Sequence, residues 1–185
     1  PDANVVDDFF LNNPNYFTMS ETDEPPTKEN SLYLTITQQW FDEIVSGRKT
    51  VEYREIKDTT LSRYFYVPKK EDEPWEINPH LSKDAPLDIF GYNNGIFSLV
   101  PKDYAYLRLG VGYNKDRDTA IIRLKGACSM PQRLPDGRIY RFNDEEIKGA
   151  ATMTLDQYIN ATYNENGELC NWIIGFELGE IVEVK

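Results

Sequence analysis

The chain has 185 residues, 40% of them hydrophobic and 13% aromatic, enough for one well-packed core and short for two full domains. Its formal charge of −11 argues against a protein that grips nucleic acid by neutralising phosphates along a duplex. No window approaches the roughly 18 consecutive apolar residues of a membrane helix, and the start has no charged-then-apolar signal, so the expectation is a cytoplasmic chain without membrane partners.

The charge is unevenly spread. Residues 1–30 set seven acids against Lys28, and residues 143–185 set nine against Lys148 and Lys185, whereas 31–142 hold 17 basic and 15 acidic residues. A locally positive cleft in the middle segment is compatible with that distribution. Cys128 and Cys170 lie far apart without a CxxC spacing, so they read as buried thiols and not as a disulfide framework or zinc knuckle.

In chain order, residues 1–30 combine the apolar patch VVDDFFLNNPNYF with the polar, proline-bearing run SETDEPPTKENS, which predicts a peripheral acidic arm and linker. The domain proper is expected over 31–185. LYLTI, from Leu32 to Ile36, alternates as a half-buried strand, and Thr37 stands as an N-cap before TQQWFDEIVSG. Trp40, Phe41, Ile44 and Val45 recur at helical spacing, and Gly47 supplies the stop. KTVEYRE then reads as a strand, and RYFYV, Arg63 to Val67, as another.

Residues 68–98 carry prolines and little periodicity, and read as a long loop insertion that could serve as a lid. Two alternating runs, Tyr104 to Leu109 and Thr119 to Cys128, flank a Gly, Asn and Asp turn as the clearest hairpin. RIYRF adds a short strand, TLDQYINATY a short helix, and WIIGFELGEIVEV one or two final strands. Many strands with few short helices predict an α+β domain around a curled sheet or small β-barrel.

The chemistry concentrates in SGRKTVEYRE, from Ser46 to Glu55. Side chains on a strand repeat by two, so Thr50, Glu52 and Arg54 share one face and Val51 and Tyr53 the other. The expectation is that Val51 and Tyr53 pack inward against the Trp40 and Ile44 face of the helix. Glu52 and Arg54, about 7 Å apart along the strand, would line a pocket with Lys49 at its rim. A solvated strand edge with a weak ion pair is the plainer reading of the same residues.

Gly47, Lys49, Glu52 and Arg54 also satisfy G-x-K-x-x-E-x-R at a helix-to-strand junction. This resembles the ASCH domain of the PUA-like superfamily, in motif detail over Leu32 to Arg54 and in element order to Val184. The resemblance implies a small β-barrel with short flanking helices and a cleft beside this strand that binds RNA or a modified nucleoside, or hydrolyses one. Some small bacterial relatives deacylate N-acetylated cytidine with a lysine, a threonine and a glutamate. Lys49 matches that lysine, while Glu52 stands where the threonine would be.

The leading expectation is therefore a binder of single-stranded RNA or a nucleoside-type small molecule through Gly47, Arg48, Lys49, Thr50, Glu52, Arg54 and Arg108, without cofactor or metal. An alternative is an amidohydrolase or ribonuclease with Lys49 as nucleophile or base and Glu52 as proton shuttle. A protein-interaction module with acidic tails is a third. His80 is the single histidine and sits in a proline-rich loop, which leaves no Ser-His-Asp relay. Tyr64, Tyr66, Trp75, Tyr92, Phe97, Tyr104 and Tyr106 could stack bases, although strand tyrosines more often pack in cores.

Overall fold

Two long strands organise the molecule, and the computed structural model describes it over residues 12–68, 70, 72–73, 75–85, 89–141 and 169–185. The strands are β1 (Tyr16–Thr18), β2 (Ser31–Ile36), β3 (Val51–Glu55), β4 (Tyr106–Val111), β5 (Thr119–Pro131) and β6 (Trp172–Val184). Helix α1 spans Gln38–Val45, α2 is a single turn over Leu61–Tyr64, and Asn93–Gly95 form a 3-10 turn. These strands join one sheet in the order β2-β4-β5-β6-β3, with β1 paired to β5 beyond the end of β4. Among the described residues, β2 and β4 run parallel and the other pairs are antiparallel.

The result is a mostly β protein built on a strongly curled mixed half-barrel with two short helices. Register shifts interrupt the β5–β6 ladder between Ile121 and Gly126, and such irregularities bend a strand and sharpen its twist. Gly126 relieves crowding at the bend. A Cβ there would penetrate the ring of Tyr16, which lies across the glycine and donates its hydroxyl to Glu177 Oε2 at 2.6 Å.

The concave face holds the core. Leu32, Leu34 and Ile36 of β2, Leu107 and Leu109 of β4, Ile122 and Leu124 of β5, and Trp172, Ile174 and Phe176 of β6 are all buried. Phe65 packs on Phe97 and Phe97 on Trp172 in tilted pairs, at 4.7 and 5.1 Å between ring centroids. Helix α1 closes one side with Phe41 and Ile44, three residues apart and therefore on one face. Thr37 precedes it in extended conformation, and Gly47 ends it at φ +79°. Among the described residues no helix is long and apolar enough to cross a membrane.

Several expectations need correction. RYFYV is not a strand: Leu61–Tyr64 form a helical turn, and Phe65 makes one isolated bridge to Pro101. Tyr64 closes that helical turn, and Phe65 follows it in extended conformation. In RIYRF, Ile139 and Arg141 make only isolated bridges, to Arg133 and Cys170. The arm is not peripheral where it is described. β1 extends the sheet, Met19 enters the core, and Tyr106, Arg108 and Arg123 donate to the carbonyls of Glu24, Pro26 and Thr22. Its backbone carbonyls serve as acceptors for side chains of β4 and β5, a role that composition does not announce. The patch VVDDFFL and the helix expected in TLDQYINATY lie outside the described residues.

Candidate functional site

Strand β3 lies at one end of the sheet and β2 at the other, so their outer edges face each other across the opening of the half-barrel. Among the described residues no backbone ladder joins them. One side chain of β3 does: Arg54 Nη2 donates to the Thr35 carbonyl at 2.9 Å, and from α2 Arg63 Nη2 donates to the Tyr33 carbonyl at 2.6 Å. Carbonyls on alternate residues of a strand point to the same side, which is why residues 33 and 35 are the pair reached.

Glu52 sits on the inner face of β3, opposite Phe176 of β6, and its side chain is 2% exposed. A buried carboxylate is costly unless it is paired and hydrogen-bonded. Here Arg54 Nη1 donates to Oε1, and Lys49 Nζ lies 2.8 Å from Oε2. The lysine contact is an ion pair made off the hydrogen-bond direction, so Oε2 has a charge partner and no aligned donor. Lys49 is itself 20% exposed, with its ammonium 4.4 Å from the centre of the Trp40 ring. Trp40, 46% exposed, occupies the solvent side of α1 because Phe41 and Ile44 define the buried stripe.

Tyr64 completes the lining, packed edge-on against Phe176 at 5.7 Å. Burial pushes its phenol above the ordinary range, while Arg63 and Arg54 act against that and Glu52 with it. Tyr64 is thus a neutral hydroxyl beside the cluster at neutral pH. Lys49 and Arg54 both pair with Glu52, two cations on one acid, an excess of positive charge that an anionic group would relieve.

The two faces of β3 are the reverse of the expected arrangement. Val51 and Tyr53 do not pack against α1: Val51 joins Cys128 in a small cluster on the outer face, flanked by Tyr16 and Met130, and Tyr53, 45% exposed, lies over Gly175. The apolar alternation of VEYRE serves this satellite cluster, and the charged face turns inward because Lys49 and Arg54 neutralise Glu52.

Of the residues expected at the site, Lys49 and Arg54 both contact Glu52. Gly47 supplies the turn that delivers them, and the backbone of Lys49 donates to Glu43 O at 2.9 Å. Arg48 is exposed and paired with Glu43 at 3.0 Å, and Thr50 is exposed, its carbonyl accepting from Leu178 N. Arg108 is not with them. It lies on the outer face, over the Tyr33 ring. Motif reasoning missed Trp40, which lies against Lys49, and Arg63, which lies beside Tyr64, since neither spacing nor residue type ties them to β3. Among the described residues no group of three or more His, Cys, Asp or Glu side chains is placed to hold a metal ion.

Comparison with family models, with curated proteins and with solved structures finds no match for this chain.

Proposed function

We propose that the chain binds a nucleotide-type ligand, single-stranded RNA or a modified nucleoside, at the opening between β2 and β3. The resemblance of Gly47, Lys49, Glu52 and Arg54 to the ASCH pattern of PUA-like domains supports this reading, as does the gathering of the last three into one cluster. The observation that carries it is Glu52: a carboxylate buried on the inner face, with Oε2 lacking an aligned donor beside a partly exposed lysine. An ion pair serving stability alone gains most by saturating both oxygens. In this reading Lys49, partly exposed and held 2.8 Å from Glu52, donates to a base carbonyl or phosphate oxygen of the ligand. The exposed Trp40 supplies an aromatic surface at the same mouth.

A second reading, an amidohydrolase using Lys49, is favoured by the 2.8 Å contact between its amine and Glu52, a nucleophile beside a proton acceptor. Binding and catalysis separate in one experiment. Calorimetric titration with uridine, N4-acetylcytidine and tetrauridylate measures affinity, and chromatography of the same mixtures detects released acetate. Lys49→Met should weaken capture by about 10- to 150-fold, the effect of removing one charge-assisted hydrogen bond. Unchanged affinity in Lys49→Met would end the proposal, and acetate release that depends on Lys49 would replace binding with hydrolysis.

A further inference from the structure

The outer face of the sheet carries a second basic concavity. Tyr33, Arg108, Ile121 and Glu183 lie in one row across β2, β4, β5 and β6, and Thr35, Gly110, Thr119 and Lys185 form the next. Both rows face outward, since Leu32, Leu34 and Ile36 alternate with Tyr33 and Thr35 and are buried. Thr35, Gly110 and Thr119, the small members of the second row, leave a dip. Arg117, returning from the hairpin turn, lies flat across Gly110, where a Cβ would stand 2.7 Å from its Nε. With Arg63 at its edge, the groove has a volume of about 340 Å³, near the lower end for small-ligand sites.

Its charge is unbalanced. Four cations line it, and its one acid among the described residues, Glu183, is already paired with Lys185 at 3.3 Å. Among the described residues, Arg63, Arg108 and Arg117 have no carboxylate partner. Neutral oxygens fix them instead. Arg108 donates to Tyr33 Oη at 2.6 Å and to Pro26 O at 3.2 Å, Arg63 to Tyr33 O, and Arg117 to Gly112 O at 3.1 Å. In a chain carrying −11 there is no shortage of carboxylates, so three pre-positioned guanidiniums without any are arranged for an anion from outside.

We infer that this groove binds backbone phosphates of a short single-stranded oligonucleotide. The inference rests on the reading of the seam, because the two sites share one strand edge: Thr35 lines the groove while its carbonyl accepts from Arg54, and Arg63 serves both. A strand with one nucleotide at Lys49 and Trp40 passes over β2 into the groove. There Tyr33, 45% exposed, offers an aromatic contact beside the phosphate-binding arginines. The guanidinium forks would match carboxylates as well as phosphates; continuity with the seam favours the nucleotide.

The test uses fluorescein-labelled tetrauridylate followed by anisotropy, with uridine titrated separately by calorimetry. Arg117→Ala should weaken tetrauridylate binding at least five-fold and Arg117→Glu further. The slope of log affinity against log salt should become shallower by about 0.7 for each phosphate that the variant no longer neutralises. Uridine affinity should stay at the wild-type value, and Lys49→Met should lower both. Tetrauridylate affinity untouched by either Arg117 variant overturns the groove, and if uridine binding still falls in Lys49→Met the seam stands without it. Loss of tetrauridylate binding in Arg117→Glu with no effect of Lys49→Met on either probe supports the groove and removes the seam reading. Displacement of tetrauridylate by pyrophosphate at equal affinity would overturn the strand in favour of a free phosphate anion, and tight binding of tetra-aspartate in the absence of tetrauridylate binding would overturn it in favour of an acidic peptide.

Discussion

Arg54 on β3 donates one guanidinium nitrogen to Glu52 and the other to the carbonyl of Thr35 on β2, at 2.9 Å for the latter. One side chain thereby neutralises a buried acid and ties together the two ends of the sheet, while Arg63 of α2 donates to the nearby Tyr33 carbonyl of β2. An open sheet edge with unpaired carbonyls is a site for unwanted pairing, and these arginines cap it.

Arg54→Ala should therefore cost about 3 to 5 kcal/mol of stability, mostly from leaving Glu52 buried with a single unaligned partner. Glu52→Gln in that background should restore part of the loss, because it removes the uncompensated charge. Denaturant unfolding of the two single variants and the double variant measures the coupling. Additive losses would show that the pair is not energetically linked.

Gly126 should tolerate no side chain while Tyr16 is in place. Gly126→Ala forces the Tyr16 ring off the bend and breaks its bond to Glu177, a destabilisation of about 1 to 3 kcal/mol. In a Tyr16→Ala background the same change should cost well under half of that. Thermal unfolding of the four proteins decides the point.

Removing residues 1–30 should abolish cooperative folding. The cut deletes Met19 from the core and exposes the β5 edge at residues 126–128, where β1 pairs. It also strips the carbonyls that hold Arg108 and Arg123. Circular dichroism and light scattering of the truncated protein should show loss of the sharp transition and association. A monomer unfolding sharply at the full-length temperature would contradict this.

Cys128 should resist alkylation in the native state. Burial pushes its thiol up to about 12, so at pH 8 almost no thiolate forms, and the sulfur is shielded as well. The native state holds this proton more tightly than the unfolded chain. Its contribution to stability is therefore intact below about pH 9, the ordinary thiol value, and is lost as pH rises from there through about 12. Mass spectrometry after iodoacetamide treatment at pH 8 should find Cys128 modified only when denaturant is present.

Local sequence determined β2, α1, β3 and the β4–β5 hairpin, because each has a hydrophobic period and a turn residue that act within a few positions: the alternation of LYLTI, the Phe41 and Ile44 stripe, the positive φ of Gly47. It also put Glu52 and Arg54 on one face, since residues i and i+2 of a strand share a side, with Lys49 entering from the turn after Gly47. The tertiary structure decided which face of β3 turned inward. Alternation separates the faces without saying which is buried, and here the answer depended on Phe176 and Tyr64 on one side and on Cys128 and Tyr16 on the other. It also decided that Arg54 of β3 would reach β2, that Trp40 would lie against Lys49 and Arg63 beside Tyr33, and that a polar N-terminal segment would extend the sheet. All of these follow from the curl that β5 and β6 acquire at their register shifts, and strand pairing over more than forty residues is set by packing rather than by any local pattern.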